Sequence, residues 1–330
     1  TIITMSSHHW MLAWLGLELN TLSILPIIMK THHPRSTEAT TKYFLIQAAA
    51  AALILFSATV NANQTGQWSI NTCQSTTAST ILTTAIMLKL GLAPAHFWYP
   101  EVLQASTMRT ALIISTWQKI APLTLLYLML NHLPTKVLML MGLASALVGG
   151  WLGLNQTQTR KILAFSSIAH MGWMVTALSL NPSLASLTLI MYMLMTTTMF
   201  MALDTTTTKT LLDLGTTWSH SPVLMTTTMI TLMSLGGLPP LTGFMPKLLI
   251  LKELTLFHLI PMAATLVFAS LPSLFFYIRM AYLTTLTTPP NTATTEHKWR
   301  FKPNYITHMA PTIMLSTLLL PLTPILYNTT

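Results

Sequence analysis

The chain has 330 residues, of which 52% are hydrophobic and only 7% are charged, with a net charge of +9. A soluble domain carries about a quarter charged residues, so the composition argues against an ordinary soluble domain and predicts a membrane protein. The basic excess is better explained by cationic loops on one face of a membrane than by a nucleic-acid partner. Cys73 is the only cysteine, which excludes an intramolecular disulfide and argues against a cysteine-ligated metal cluster.

Apolar runs of roughly 17–25 residues, each able to cross about 30 Å of hydrocarbon, recur along the chain. They predict an all-α, polytopic bundle of about ten transmembrane helices. The opening segment Thr1 to Met5 looks like the tail of another helix, so we expect a span truncated at its N-terminus. We divide the chain into a helix bundle over 1–285 and a loop with a C-terminal helix over 286–330. The predicted spans lie near 8–30, 42–61, 78–99, 107–130, 134–152, 160–180, 183–203, 221–251, 255–285 and 304–327.

The distribution of cations supports this segmentation, because Lys and Arg concentrate in every second loop when spans are counted correctly. One predicted side has only Lys136 and Lys252, and three lysines fall inside spans. If the protein is mitochondrial, we expect the cation-rich face to be the matrix, which puts the C-terminus in the intermembrane space. The other side collects eleven of the 16 cations, namely Lys30, Arg35, Lys42, Arg109, Arg160, Lys161, Lys209, Arg279, Lys298, Arg300 and Lys302.

Two segments interrupt the helical pattern: KLGLAPAHF at 89–97 and GGLPPLTGFMPK at 236–247. Proline removes a backbone donor, and irregular backbone at membrane depth is tolerated only inside protein or beside a wet cavity. Both segments contain Gly-Leu-x-Pro followed by an aromatic residue, with a lysine nearby. They lie five spans apart and therefore cross in opposite directions. The sequence thus predicts two broken helices within an inverted repeat, an arrangement typical of ion transporters.

Four ionisable residues lie inside predicted spans: Glu18, Lys89, Lys119 and Lys247. A charge at the centre of a span costs about 2.5–3.5 kcal/mol, so such residues indicate function. The alternative to a functional role is that these residues form structural ion pairs or extend their charged ends to the membrane surface. Extension to the surface stays open for Lys247. Burial favours the neutral amine of a lysine, which allows it to take up and release a proton.

Two histidines are weaker candidates for the same path. His96 follows the first break and His170 lies within SSIAHMGW, although a buried histidine is more often a hydrogen-bonded core residue. The chain contains no GxxxxGK[ST] or GxGxxG nucleotide motif and no cysteine set for an iron–sulfur cluster. The energy for transport must therefore come from elsewhere.

Three strings carry a resemblance: TTKYFL at 40–45, LNQTQTRKILAFSSIAHMGW at 154–173, and the second broken segment. The chain resembles the antiporter-like membrane subunits of respiratory complex I, NADH:ubiquinone oxidoreductase, and among them the mitochondrial subunit 2 family. The resemblance implies that Glu18 interacts with Lys89 of the first broken helix. It also implies that Lys119 is the central lysine and that Lys247 lies at the exit of the channel.

The resemblance further implies a proton pump of the mitochondrial inner membrane, in which quinone reduction elsewhere drives a Glu/Lys relay. We expect neighbouring antiporter-like subunits and lipids as partners, and neither nucleic acid nor a homo-oligomer. We expect this chain to bind no cofactor, with FMN, iron–sulfur clusters and ubiquinone held by other subunits. Two alternatives stay open: a free-standing cation/proton antiporter, and a structural membrane-arm subunit that pumps nothing.

Overall fold

A computed structural model describes residues 1–30, 32–70, 75–217, 221–285 and 309–329. Regular structure in these ranges is helical, apart from two isolated β-bridges. In the first half of the chain the helices are α1 Ile2–Met5, α2 Trp10–Met29, α3 Pro34–Thr65, α4 Thr76–Leu90, α5 Trp98–Ala105, α6 Met108–Ser115, α7 Trp117–Leu128 and α8 Thr135–Gly153. In the second half they are α9 Thr159–Leu180, α10 Pro182–Thr206, α11 Leu211–Thr216, α12 Pro222–Gly236, α13 Phe244–Leu256, α14 Ile260–Thr285, α15 Met309–Leu318 and α16 Thr323–Thr329.

Seven helical segments in the described ranges are long and apolar enough to cross a membrane, or eight if the C-terminal pair, bent by 66°, is one span. The predicted all-α, polytopic fold is therefore confirmed. The two broken spans appear as the pairs α4/α5 and α12/α13. The number ten stays a prediction, because the last predicted span begins outside the described residues.

The predicted cation-rich loops meet at one end of the bundle. Arg109 Nε donates to Asp204 Oδ2 at 2.9 Å, which joins the start of α6 to the end of α10. The backbone N–H of Thr159 donates to Lys209 O at 3.2 Å, and Arg279 donates to Leu154 O at 3.0 Å. These contacts bring together the ends of five predicted spans. The predicted cations Lys298, Arg300 and Lys302 lie outside the described residues.

Both helix breaks use the same backbone geometry. Gly91 and Gly237 have φ angles of 74° and 80°, in the left-handed region that favours glycine. In each case the glycine N–H and the next leucine N–H bond back to the final turn of the preceding helix, as in a Schellman motif. The chain re-enters a helix seven residues after each glycine. The shared Gly-Leu-x-Pro sequence thus produces two similar helix ends, as an internal repeat predicts.

A third break was not predicted. The sequence favours one helix over 107–130, but α6 ends at Ser115 and α7 begins at Trp117. Thr116 lies between them with φ −111° and ψ −75°, and its hydroxyl donates to Leu112 O at 2.7 Å. The N–H of Lys119 bonds to Thr116 O at 3.2 Å instead of to the carbonyl four residues back. The break therefore leaves Ser115 O without its usual helical partner.

Candidate functional site

Lys89 lies in the last turn of α4, where α3, α5 and α7 surround it. Lys89 is only 6% exposed, and its Nζ forms no hydrogen bond with any described residue. Lys89 and Lys119 line the same cavity, about 20 Å³ in volume, together with Gln47, Tyr99 and Gln118. A volume of roughly 10–15 Å³ or more can hold one water molecule. The first two predicted lysines therefore face a common small polar cavity.

Glu18 lies in the middle of α2 and is partly buried. Its Oε2 accepts a hydrogen bond from Thr21 Oγ1 at 3.1 Å. Glu18 interacts electrostatically with Lys89 and with the buried Tyr43. Within the described chain, however, it forms no direct ion pair within 4 Å. A direct Glu18–Lys89 pair is thus not formed in this structure, and the interaction that the resemblance implied stays a prediction.

Lys119 is 3% exposed and lies in the first turn of α7. Its Nζ donates to Tyr192 Oη of α10 at 3.0 Å, and it lies 4.9 Å from the ring centroids of Tyr99 and Tyr192. Tyr192 Oη in turn donates to Ser115 O at 3.0 Å, the carbonyl exposed by the break after α6. The Lys119 amine thus has one hydrogen bond and two aromatic rings around it. A cation–π contact of the charged amine with such a ring contributes about 0.5–2 kcal/mol.

His170 lies on α9 between the second and third predicted lysines. Its ring centroid is 5.8 Å from that of Tyr192, and its Nε2 is 3.3 Å from Tyr277 Oη of α14. It interacts electrostatically with both Lys119 and Lys247. This weaker sequence candidate therefore lies beside Tyr192 and Tyr277 and within electrostatic range of both lysines.

Lys247 lies in the first turns of α13, and the break carries it back towards the end of α12. Its Nζ donates to Gly236 O at 2.8 Å, and a methyl group on Gly237 would lie 2.9 Å from that nitrogen. A lysine at a helix C-terminus satisfies a free carbonyl and the negative end of the helix dipole. The Lys247 amine is therefore directed back to the break after α12, and whether it lies away from the membrane surface stays a prediction.

His96 is separate from this group. It is 3% exposed, its Nδ1 lies 3.2 Å from Pro94 O, and its ring packs on Phe97 at 4.3 Å. No described contact joins it to the buried lysines. A role for His96 in proton transfer stays a prediction, and its Nε2 is buried without a hydrogen-bond partner among the described residues.

Sequence reasoning missed several uncharged members of the site. Tyr192 and Tyr277 belong to it, and so do the amides of Asn20 and Gln118. The two amides bond reciprocally between α2 and α7, at 2.6 Å and 3.2 Å. Asn20 lies two residues from Glu18, and Gln118 lies next to Lys119. This proximity to the buried charges was the available sign in the sequence that the two amides belong to the site. Among the described residues, no group of three His, Cys, Asp or Glu side chains could hold a metal ion.

The sequence and the fold are both similar to those of antiporter-like membrane proteins. Residues 7–273 match the family described as NADH:quinone oxidoreductase/Mrp antiporter, and residues 274–327 match the C-terminus of NADH dehydrogenase subunit 2. A chain of respiratory complex I from Thermus thermophilus superposes with a TM-score of 0.81 at 26% identity, covering 97% of this chain and 76% of that one. A chain of the Mrp complex from Dietzia sp. shares the fold, with a TM-score of 0.76 at 17% identity, covering 97% and 70%. The fold and its buried lysines define an antiporter-like membrane subunit.

Full-length relatives narrow this class. NADH-ubiquinone oxidoreductase chain 2 of Gallus gallus is 54% identical over 326 residues, which cover 99% of this chain and 94% of that protein. The Struthio camelus protein is 53% identical with the same coverage. The chain belongs to the NADH-ubiquinone oxidoreductase chain 2 family. It is thus a multi-pass membrane subunit of complex I, the proton-translocating NADH:ubiquinone oxidoreductase, and this reading fits better than a free-standing antiporter.

Proposed function

We propose that protons cross this subunit through Lys89, Lys119 and Lys247, with Tyr192 and His170 between the last two lysines. The observation that carries the proposal is the placement of Lys119. It shares a cavity with Lys89 on one side and contacts Tyr192, beside His170, on the other. A proton moves over hydrogen-bond distances, so a relay needs groups of this kind in series.

Glu18 sets the proton affinity of the first lysine in this proposal. Its attraction for Lys89 acts without a direct ion pair, so the strength depends on the charge of Glu18 and on its distance. A change of charge in a neighbouring subunit would weaken this attraction and drive the proton from Lys89 towards Lys119. Lys89 would then be reloaded from the matrix.

Lys247 is the exit group in this proposal. Its bond to Gly236 O stabilises the ammonium, and the break after α12 holds that carbonyl in place. Moving one charge across the membrane costs about 2.3 kcal/mol per 100 mV, so the exit step must be driven. In this proposal FMN, the iron–sulfur clusters and ubiquinone belong to other subunits, because the single cysteine, Cys73, cannot ligate an iron–sulfur cluster and the sequence has no nucleotide-binding motif.

The partners and the orientation belong to the same proposal. The direction of transport is from the matrix to the intermembrane space of the mitochondrial inner membrane. The cation-rich end then faces the matrix, as the general bias of Lys and Arg in membrane proteins favours. Neighbouring antiporter-like subunits and lipids contact the chain in the membrane arm, and His96 stays outside the main path.

The test is Lys119→Met in the assembled complex, reconstituted in vesicles. Methionine keeps an unbranched apolar side chain but cannot carry a proton, so we expect fewer protons translocated per NADH oxidised. Lys136→Met is the matched control, because Lys136 is an exposed lysine at the start of α8. It should leave the ratio unchanged.

The same experiment separates the proposal from a purely structural role. An unchanged proton ratio in a fully assembled Lys119→Met complex would disprove the relay. A structural subunit predicts a different result, with less assembled complex and normal coupling in the fraction that assembles.

A further inference from the structure

A second cavity opens at the cation-rich end of the bundle, apart from the lysine path. Its volume is about 540 Å³, which is within the range of sites that hold small ligands. It lies where the starts of α3, α6 and α9 meet the end of α10. Its polar lining comes mainly from His33, Arg35, Ser106, Arg160, Asp204 and Lys209.

The charges in this cavity are not balanced. Among the lining residues, three cations, Arg35, Arg160 and Lys209, accompany one carboxylate, Asp204, which already accepts from Arg109 at 2.9 Å. Outside the lining, Glu38 attracts Arg35 and Asp213 attracts Lys209, which offsets part of the positive excess. Arg35 and Arg160 repel each other. Arg160 also donates a hydrogen bond to Ser106 O, which restrains its guanidinium group from moving away from Arg35. An anion between the two guanidinium groups would remove this repulsion.

The backbone adds to the positive potential. The positive ends of α3, α6 and α9 point to this region, since these helices begin at Pro34, Met108 and Thr159. The starts of α3 and α6 are capped by the side chains of His33 and Thr107, and the first N–H of α9 already donates to Lys209 O. The helix ends therefore contribute mainly through their dipoles, which favour an anionic ligand. The cationic side chains and the helix ends therefore favour the same kind of ligand.

We propose that this cavity binds a phosphate group. Planar guanidinium groups match phosphate oxygens by paired hydrogen bonds, which distinguishes a phosphate from a simple halide. The cavity is larger than inorganic phosphate alone, so the group can come from a free phosphate or from the headgroup of an anionic lipid. The site is independent of proton transfer through the lysines.

The test uses the assembled, delipidated complex in detergent. Phenylglyoxal modifies accessible arginines, and peptide mass spectrometry measures the modification rates of Arg35 and Arg160 separately. The probes are sodium phosphate, dihexanoylphosphatidylglycerol, and dihexanoylphosphatidylcholine as a lipid of equal chain length without net charge. We expect an anionic probe to slow modification of both arginines. Protection by both anions indicates phosphate recognition, and protection by phosphatidylglycerol alone indicates a lipid headgroup.

Variants locate the effect. Lys209→Gln should raise the half-protecting concentration about tenfold, the effect of losing one charge-assisted hydrogen bond. Lys30→Gln removes the same charge from an exposed residue that does not line the cavity, and it should change nothing. The proposal is overturned if neither anion protects, or if phosphatidylcholine protects equally. It is also overturned if Arg35 reacts only after neighbouring subunits are stripped away, since a protein segment would then occupy the cavity.

Discussion

Tyr192 combines a structural and a functional contact in one hydroxyl. The break after α6 leaves Ser115 O without its helical donor, and Tyr192 Oη donates to that oxygen at 3.0 Å. With its proton committed there, the same oxygen accepts from Lys119 Nζ at 3.0 Å. The helix break therefore orients the tyrosine, and the tyrosine orients the lysine.

Tyr192→Phe tests this coupling. The variant keeps the ring over Lys119 but leaves Ser115 O and the lysine without their shared partner, at a cost of about 1–3 kcal/mol for each buried group. We expect fewer protons per NADH in reconstituted vesicles and a complex that is inactivated at lower temperature. Tyr282→Phe, an exposed tyrosine of α14, is the control and should change neither quantity.

The two readouts separate the two roles of Tyr192. A lower inactivation temperature with an unchanged proton ratio would leave Tyr192 as a structural residue only. An unchanged temperature and ratio would contradict the contact with Ser115 O as well.

The charged members of the site could be found from sequence, whereas the uncharged ones could not. Glu18, Lys89 and Lys119 are conspicuous because a charge inside an apolar span is costly. Tyr192 is one of eight tyrosines, and nothing in its neighbouring residues marks it as different from the others. Only its contact with Lys119, 73 positions away along the chain, identifies it. Side chains selected by tertiary contact leave little local signal.

At the scale of helices, the predictable breaks are those that glycine and proline produce. The breaks after α4 and α12 follow from Gly-Leu-x-Pro, because glycine adopts the positive φ and proline ends the regular hydrogen bonding. The break at Thr116 has no glycine or adjacent proline. Its backbone is satisfied by Tyr192 from another helix, so the sequence around Thr116 alone could not indicate it.

Close packing of α8 on α9 depends on small residues at their contact. A methyl group on Gly172 would lie 2.6 Å from Gly142 O and 2.7 Å from Ala146 N, and it would also meet Ser145. These neighbours are mostly backbone, which cannot move without separating the helices. Small residues allow such close approach in membrane helices, where dispersion forces replace the hydrophobic effect.

Gly172→Ala should therefore destabilise the subunit by about 1–3 kcal/mol, the usual cost of overpacking. We expect a smaller yield of assembled complex on native gels and a lower inactivation temperature. Gly236→Ala is the matched control, because a methyl group there would meet no atom closer than 3.8 Å and the backbone carbonyl is kept. Equal yields for the two variants would contradict the close α8–α9 contact.

At the scale of the whole molecule, the halves are related by their broken helices. The first half-helices α4 and α12 each contain 15 residues, and each is capped at its C-terminus by a glycine that is followed by leucine. The lysines differ in position, since Lys89 precedes its break and Lys247 follows its own. Both amines nevertheless come to the region around a break, which is where irregular backbone can line a polar path. The two halves therefore share the backbone geometry of the break more closely than they share the position of the lysine.

The charge distribution also makes a prediction for the whole molecule, namely its orientation in the membrane. Lys30 lies at the cation-rich end, whereas Lys136 begins α8 at the opposite end, a 19-residue helix of about 28 Å. All three of Lys30, Lys136 and Lys252 are exposed. We expect a membrane-impermeant amine reagent to label Lys30 only in inside-out vesicles, and Lys136 and Lys252 only in mitoplasts. As a control, all three lysines should react once detergent has removed the membrane barrier. A lysine that was unlabelled before detergent was then protected by the membrane. The two ends of the rigid helix α8 must lie on opposite sides of the membrane. Labelling of Lys30 in mitoplasts would therefore show that the whole bundle has the opposite orientation, and the direction assigned to the lysine path would be wrong.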